Sequence, residues 1–148
     1  MPNILFICTG NTCRSPMAEA LCRDYIEKHN LKGYTCQSAG ISVAVGEPMS
    51  WGSREALADI GISADFHKAK AVTLEMLSSA DKVYCMTDDH KLILSTYFPQ
   101  MSDKFTTFPK PVSDPYGGNF EIYCRCRDEI KELIQTVVFA KDNTDVND

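Results

Sequence analysis

Two cysteines stand five residues apart near the start of the chain, Cys8 and Cys13 in the segment FICTGNTCRS, residues 6–15. A glycine and an asparagine lie between them, and an arginine and a serine follow directly. Thiols at this spacing could bind a metal, form a disulfide, fill a core or act as a reactive centre. The surrounding residues distinguish these four possible roles.

A metal site or a disulfide framework explains little of this segment. Structural zinc sites use paired ligands such as C-x2-C, twice over, whereas the spacing here is C-x4-C without a matching second pair. Cys124 and Cys126 are two residues apart on a predicted helix, so they point to different sides. The seven cysteines are an odd number, which excludes a complete disulfide framework within one chain. The nucleotide-binding pattern G-x4-G-K-[ST] also fails, because no lysine stands at the required place.

A reactive thiol explains more of the residues. Cys8 lies where a buried strand ends, and the loop that follows leads into a helix N-terminus, whose backbone N–H groups form a nest for an anion. Gly10 permits the left-handed backbone or close approach that such a nest needs, and Asn11 tolerates positive φ. Arg14 offers a planar fork that matches two phosphate oxygens, and Ser15 offers a hydroxyl toward Cys8.

A helix N-terminus and a nearby arginine favour the thiolate, which is the nucleophilic form of a cysteine. A thiolate inside a phosphate cradle can carry out covalent phosphoryl transfer. The alternative for Cys8 alone is a buried core thiol. That alternative does not explain the pattern C-x5-R-S at a strand–loop–helix junction.

The elements that must position this loop alternate between strands and helices along the chain. We predict strands in NILFIC, YTCQSAG, DKVYCM and KFTTF. Ser15 is the predicted N-cap of the first helix, Pro16 its first residue and Gly33 its stop. Further helices are predicted in SREALADIG, which Gly61 closes, in TLEMLSSA, in DHKLILSTYF and after DPYGG. The last helix has an apolar face of Phe120, Tyr123, Ile130, Leu133, Ile134, Val137 and Val138.

This order predicts a three-layer α/β/α fold around a central, mainly four-stranded parallel sheet. Ligands of such sheets bind at the carboxyl ends of the strands. The loops at those ends are residues 8–15, 38–40, 87–89 and 114–118. We predict one domain over residues 1–139 and a polar, flexible tail over residues 140–148.

The composition narrows the classes of function. The net charge of −5 gives no electrostatic support to nucleic-acid binding. No apolar run approaches the roughly 20 residues that span a bilayer, so no membrane role is expected. The N-terminus lacks the features of a signal peptide, and we therefore expect reduced thiols in the cytoplasm.

The segment CTGNTCRSPMAEA resembles the signature of the low-molecular-weight protein tyrosine phosphatase family. The segments SAG at 38–40, HKAKAVT at 67–73, YCMTDDH at 84–90 and DPYGG at 114–118 follow in the family order, so the resemblance covers roughly residues 3–139. It implies a two-step phosphatase that forms a phosphocysteine on Cys8. Asp114, in the DPY motif, would be the general acid and then the base; by itself, an Asp-Pro pair could equally be a surface turn.

The resemblance also implies roles for the other residues of the site. Ser38 and His67 would brace the loop through Asn11, whereas His29 and His90 look like surface residues without a role. Cys13 would form a reversible disulfide with Cys8 under oxidation, or would only pack beneath the loop. The residues expected to bind phosphate or substrate are Thr9, Gly10, Asn11, Thr12, Cys13, Ser15 and Tyr116.

The identity of the phosphorylated side chain depends on Thr12. Many tyrosine-specific members carry a bulky aliphatic residue there, and this chain also has Gly117 where a second aromatic is common. Trp51 is a further aromatic residue that could replace a missing aromatic wall. Thr12 with DPYGG resembles the protein arginine phosphatases of the family, so phosphoarginine is the alternative substrate to phosphotyrosine. An arsenate reductase, or a phosphate-binding module without catalysis, are further alternatives.

The expected partners follow from this chemistry. The substrate would be a phosphorylated protein, and phosphate, arsenate or vanadate would inhibit, because each resembles the anion that the loop holds. No metal or organic cofactor is required for phosphoryl transfer to a thiolate. We expect a monomer.

Overall fold

The computed structural model describes residues 2–140 of the 148-residue chain. Its centre is a sheet of four parallel strands in the order β2-β1-β3-β4. The strands are β1 (Asn3–Cys8), β2 (Thr35–Gly40), β3 (Lys82–Cys85) and β4 (Phe105–Thr107). Cys8 pairs with Gly40 in register, so the end of β1 lies beside the end of β2.

Five α-helices connect and cover the strands. They are α1 (Arg14–Lys28), α2 (Trp51–Ala58), α3 (Leu74–Ser79), α4 (Asp88–Tyr97) and α5 (Phe120–Leu133). A 3₁₀ helix over Pro99–Lys104, which the sequence pattern does not predict, leads into β4. A π-helical turn over Ile134–Val138 continues α5. The predicted three-layer α/β/α architecture is confirmed.

The alternation of side chains along β1 builds the two cores. Ile4, Phe6 and Cys8 face the larger core, together with residues of α1 and α5. Leu5 and Ile7 face the opposite core, with residues of α3 and α4. Because β1 is central and covered on both faces, its sequence is a continuous apolar run.

The first helix differs from its prediction at both ends. Its N-cap is Cys13 and not Ser15, which lies one residue inside the helix, so Pro16 is the third helical residue and not the first. The Ser15 hydroxyl contacts Cys8, Asn11 and the Ala39 carbonyl oxygen and does not cap the helix. The helix ends at Lys28 and not at Gly33, because Asn30 already adopts a left-handed φ of 53°.

The last helix buries most of its predicted face. Tyr123, Ile130, Leu133 and Ile134 are buried, but Phe120 is 46% exposed, because it is the first residue of the helix and lies at the edge of the core. The predicted tail over 140–148 lies, except for Ala140, outside the described residues. No helix among residues 2–140 is long and apolar enough to cross a membrane.

Candidate active site

The loop between β1 and α1 is closed by a left-handed residue in its middle. Asn11 has φ 55°, a conformation that asparagine tolerates better than most residues. We predict that role for Gly10 as well, but Gly10 is not among the glycines with positive φ. A methyl group at Gly10 would meet only the Thr12 hydroxyl, at 3.6 Å. The turn of the loop is therefore made by Asn11.

The thiol of Cys8 is buried beside the first turn of α1. Its sulfur lies 2.9 Å from Oγ of Ser15. Nδ2 of Asn11 donates to the same Ser15 oxygen at 2.9 Å. Since Ser15 Oγ accepts from Asn11, its own hydrogen can be donated to the sulfur of Cys8 at 2.9 Å or to the more distant Ala39 carbonyl oxygen at 3.4 Å. This arrangement stabilises a negative charge on that sulfur.

A buried chain of hydrogen bonds leads from Asn11 into α1. Nδ2 of Asn11 also donates to Oγ of Ser38 at 2.9 Å, and Ser38 donates to Oε1 of Glu19 at 2.8 Å. Glu19 is 3% exposed, and its other oxygen lies 2.6 Å from the Arg23 guanidinium. Because Glu19 can only accept from Ser38, the Ser38 oxygen is oriented to accept from Asn11.

Two more polar atoms of Asn11, its carbonyl oxygen and Oδ1, also have partners. His67 donates from Nε2 to the Asn11 carbonyl oxygen at 2.7 Å, and the Lys70 amide donates to Oδ1 of Asn11 at 2.9 Å. Burial lowers the pKa of His67, although its bond to Asn11 opposes this effect. Ser38 and His67 thus both contact Asn11, as the family resemblance implies.

Arg14 joins the cysteine loop to the loop that carries the expected acid. The guanidinium is buried, and Nη1 donates to the carbonyl oxygen of Val112 at 3.1 Å. Nη2 lies 3.9 Å from Oδ2 of Asp114, whose side chain is 55% exposed. Oδ1 of Asp114 accepts the amide of Tyr116 at 3.1 Å, and Tyr116 itself is exposed. An open carboxyl next to a buried cation can exchange protons with a bound ligand.

Cys13, the second cysteine of the loop, contacts the start of α2 and a residue of α5. Cys13 donates from its thiol to Oγ of Ser50 at 3.2 Å and lies 3.9 Å from the Tyr123 hydroxyl. The Ser50 amide donates to the Thr12 carbonyl oxygen at 2.8 Å, which attaches the start of α2 to the loop. Trp51 follows as the first residue of α2 and is 66% exposed. The structure thus locates Trp51 on the Thr12 side of the loop.

His90 is not the surface residue that the sequence predicts. It is 4% exposed and lies 2.9 Å from the Thr9 hydroxyl through Nε2. Burial in the first turn of α4, and after it the charge of Arg14, lower the pKa of His90 to about 4. The neutral imidazole of His90 therefore supports Thr9, a residue of the cysteine loop.

Three residues that support the loop, Glu19, Ser50 and His90, are not found by reasoning from the sequence. Glu19 reaches the loop through Ser38. Ser50 contacts Thr12 and Cys13 of the loop directly. Glu19 stands four residues after Ser15, on the same side of α1, and this spacing was the available signal. For Ser50 the signal was a serine directly before a helix, and for His90 there was none.

The described side chains around the loop suit an anion better than a metal ion. Among residues 2–140, no group of three or more histidine, cysteine, aspartate or glutamate side chains lies together where it could hold a metal ion. The groups that converge on the loop are the thiol of Cys8, the guanidinium of Arg14, the carboxyl of Asp114 and backbone amides. They suit an oxyanion.

Comparison with known proteins agrees with this arrangement. The family model described as low molecular weight phosphotyrosine protein phosphatase matches residues 3–146. The chain therefore belongs to this family, whose members act on phosphorylated proteins.

Individual relatives include both kinds of phosphatase. The chain is 40% identical to a protein-arginine-phosphatase of Geobacillus stearothermophilus, over 88% of this chain and 90% of that protein. It is 38% identical to the protein-arginine-phosphatase of Bacillus subtilis, over 90% and 92% of the two chains. The protein-tyrosine-phosphatase Ptp of Acinetobacter johnsonii is 34% identical, over 92% of each.

A solved structure resembles the fold closely. It is a mutant of the YwlE arginine phosphatase with a phosphorylated active-site serine, at a TM-score of 0.89 and 36% identity, covering 95% of this chain and 97% of that one. A phosphorylated side chain in the active site of that protein is consistent with covalent phosphoryl transfer in the family.

Proposed function

We propose that this chain is a protein phosphatase that removes the phosphoryl group of phosphoarginine through a phosphocysteine on Cys8. The observation that carries the proposal is the contact between Cys8 and Ser15 at 2.9 Å, inside a loop that Arg14 closes. A sulfur at the end of a buried strand, held by a hydroxyl donor at a helix N-terminus, is suited to attack phosphorus.

In the first step, the Cys8 thiolate forms a sulfur–phosphorus bond while the bond from phosphorus to the leaving nitrogen breaks. Asp114 transfers its proton to that nitrogen, which leaves as a neutral guanidine nitrogen and is protonated in water. Arg14 and the loop amides bind the phosphoryl oxygens, whose charge grows in the transition state.

In the second step, water attacks the phosphocysteine, and Asp114 takes a proton from it. The sulfur–phosphorus bond breaks, inorganic phosphate leaves, and the Cys8 thiolate returns to its contact with Ser15. The same two steps apply to phosphotyrosine, with a phenol oxygen as the leaving atom.

Phosphoarginine is favoured by the polar character of the loop around Thr12. The Thr12 carbonyl oxygen accepts from the Ser50 amide, whereas the Thr12 hydroxyl has only a long contact, 3.9 Å, with the Cys13 sulfur and can be offered to a substrate. The open carboxyl of Asp114 can accept hydrogen bonds from the N–H groups of a phosphorylated guanidine and can, when protonated, donate its proton to the leaving nitrogen. The identities of 40% and 38% to two protein-arginine-phosphatases support the same substrate.

Phosphotyrosine is the second candidate, and two exposed aromatic residues favour it. Tyr116 and Trp51 are 78% and 66% exposed, and they adjoin Asp114 and Thr12 in the chain or in space. A phenol ring packs well against such side chains.

The deciding experiment compares kcat/KM on two peptides of one sequence, phosphorylated on arginine or on tyrosine. We expect a preference for phosphoarginine of at least about tenfold, and a shift of similar size toward phosphotyrosine in Thr12→Ile. Thr106→Ile, at an exposed position of β4, is the matched control and should keep the wild-type ratio. Faster turnover of phosphotyrosine, unchanged in Thr12→Ile, would overturn the choice of substrate.

A separate experiment tests catalysis as such. Wild-type protein should hydrolyse p-nitrophenyl phosphate, and Cys8→Ser should abolish this activity, whereas Cys124→Ser should retain it. Binding of phosphate without any hydrolysis would instead identify a binding module. Thioredoxin-coupled reduction of arsenate would favour a reductase.

We further propose a single domain that acts as a monomer in the cytoplasm and is inhibited by phosphate, arsenate or vanadate. All seven cysteines are free thiols, which supports a reducing compartment. Sedimentation of the purified chain tests the monomer, and a dimer at micromolar concentration would contradict it.

A further inference from the structure

We propose that His90 is a positioning residue, which holds the Thr9 hydroxyl so that it can donate to an oxygen of the bound phosphoryl group. This inference rests on the proposed phosphatase function. His90 lies in the first turn of α4, after β3, and Thr9 directly follows Cys8. The contact between their side chains, 2.9 Å long, joins α4 to the cysteine loop.

The hydrogen bonds of His90 determine which ring nitrogen carries the hydrogen. The backbone amide of Thr87 donates to Nδ1 at 3.2 Å, and the Thr87 hydroxyl lies 3.1 Å from the same nitrogen. The hydroxyl can donate or accept, but the amide can only donate. Nδ1 is therefore the nitrogen with the lone pair, and Nε2 carries the hydrogen. It follows that Nε2 donates to Oγ1 of Thr9.

The orientation of Thr9 follows from this tautomer. With Oγ1 accepting from His90, the hydroxyl hydrogen of Thr9 points away from the imidazole. Thr9 is an exposed residue of the loop, and its carbonyl oxygen is occupied by the Ser42 amide. Its hydroxyl is thus available to an oxygen atom that enters the loop.

The imidazole keeps this donor role over the pH range in which the enzyme would work. A second proton would have to occupy Nδ1 and displace the Thr87 amide. The charged groups that act on the ring are Arg14 on α1, Asp89 on α4 and Asp114 on the loop after β4. Arg14 opposes protonation of the ring, the two carboxyl groups favour it, and burial outweighs them.

A merely structural alternative exists, because His90 also caps α4 through Thr87. Two substitutions separate the roles. His90→Asn keeps an acceptor near the position of Nδ1 but loses the contact with Thr9. His90→Gln places an amide N–H near the position of Nε2 and loses the cap. Thr73→Ala removes the side-chain cap of α3, away from the loop, and is the control for loss of a cap.

The experiment measures kcat and KM on p-nitrophenyl phosphate, vanadate inhibition and the thermal midpoint for each variant. We expect His90→Leu, His90→Asn and Thr9→Val each to lower kcat/KM and weaken vanadate binding by about tenfold, the size of one lost hydrogen bond. The double variant His90→Leu/Thr9→Val should be no worse than the poorer single variant, since both remove one interaction. His90→Gln should recover most of the loss, and Thr73→Ala should lower only the thermal midpoint.

Three results would overturn the positioning role: equal losses in His90→Gln and His90→Asn, a Thr9→Val enzyme with wild-type kinetics, or losses that multiply in the double variant. Failure of the proposed function itself is distinguishable, because the wild-type protein would then not hydrolyse p-nitrophenyl phosphate. In that case, calorimetric binding of inorganic phosphate by the same variants decides the role of His90.

Discussion

Gly40 lies so close to Thr9 that a methyl group on its Cα would stand 2.6 Å from the Thr9 carbonyl oxygen and 2.9 Å from the Asn11 amide nitrogen. Both of those groups are backbone, so they cannot move without moving the loop. The end of β2 therefore acts as a floor for the loop that surrounds Cys8, and this explains the glycine of the SAG motif.

Gly40→Ala should displace the loop and reduce kcat/KM by more than about a hundredfold, because small errors of position strongly reduce catalysis. Kinetics on p-nitrophenyl phosphate give the measurement. Gly61→Ala is the comparison: its φ of 79° makes the change strained, but nothing lies within 4 Å of the new methyl group. It should cost about 1 kcal/mol of stability and leave kcat/KM unchanged. A Gly40→Ala enzyme with normal kinetics would contradict the floor.

Ser38→Ala should weaken catalysis through Asn11, since Nδ2 of Asn11 would lose one of its two acceptors. A buried donor without a partner costs about 1–3 kcal/mol, so the loop should be less stable and kcat lower by about tenfold or more. Ser53→Ala is a suitable comparison, because Ser53 is also buried but its hydroxyl contacts the start of α2 and Cys13. If the two variants differ in stability but not in kcat, the chain through Ser38 does not support catalysis.

The sheet and the gathering of loops at its edge could be predicted, because both depend on local signals. NILFIC is an uninterrupted apolar run, which indicates a buried strand. The parallel order of the strands brings the loops of Cys8, Asn11, Arg14 and Asp114 to one edge of the sheet, independently of side-chain contacts. Arg14 and Asp114 do meet, at 3.9 Å.

The errors concern side chains whose environment comes from distant segments. Ser15 precedes a proline in a pattern typical of an N-cap, but its hydroxyl contacts Cys8, Asn11 and the Ala39 carbonyl oxygen on β2. His90 follows two aspartates in a polar first turn, which is typical of an exposed residue, and this pattern does not reveal its contact with Thr9 on the cysteine loop. A charged residue such as Glu19 is rarely buried, so its place behind Ser38 could not be read from local pattern.

His90 should make the fold less stable in acid. Its folded pKa of about 4 lies below the ordinary value of 6.5, so the unfolded chain binds more protons between these values, and stability falls as the pH falls through this window. From about pH 7 to about pH 5 the loss amounts to about 2 kcal/mol. The pKa of His67 is also lowered by burial, which adds a loss in the same direction.

Urea unfolding of wild-type protein and of His90→Gln over this pH range gives the measurement. Glutamine does not titrate, so the variant should lose less stability than the wild type between these two pH values. His29→Gln, at a position outside the loop network, is the comparison. Identical pH dependence of the wild type and His90→Gln would show that His90 is not held neutral by the fold.

Cys13 should protect Cys8 from irreversible oxidation, although its thiol lies on Ser50 in this structure. Peroxide converts the Cys8 thiolate to a sulfenic acid; the Cys13 sulfur can then attack the Cys8 sulfur, form a disulfide and release water. To do so, Cys13 has to leave its contact with Ser50, so Ser50→Ala should speed disulfide formation by up to about fivefold, the size of one weak hydrogen bond.

Mass spectrometry of peptides after mild peroxide should show linked Cys8 and Cys13 in the wild type, and activity should return with a thiol reductant. Cys13→Ser should instead accumulate sulfinic and sulfonic acid on Cys8 and lose activity permanently, whereas Cys36→Ser should behave as the wild type. Oxidised Cys8 without any linked peptide in the wild type would leave Cys13 with a packing role against Ser50 and Tyr123 only.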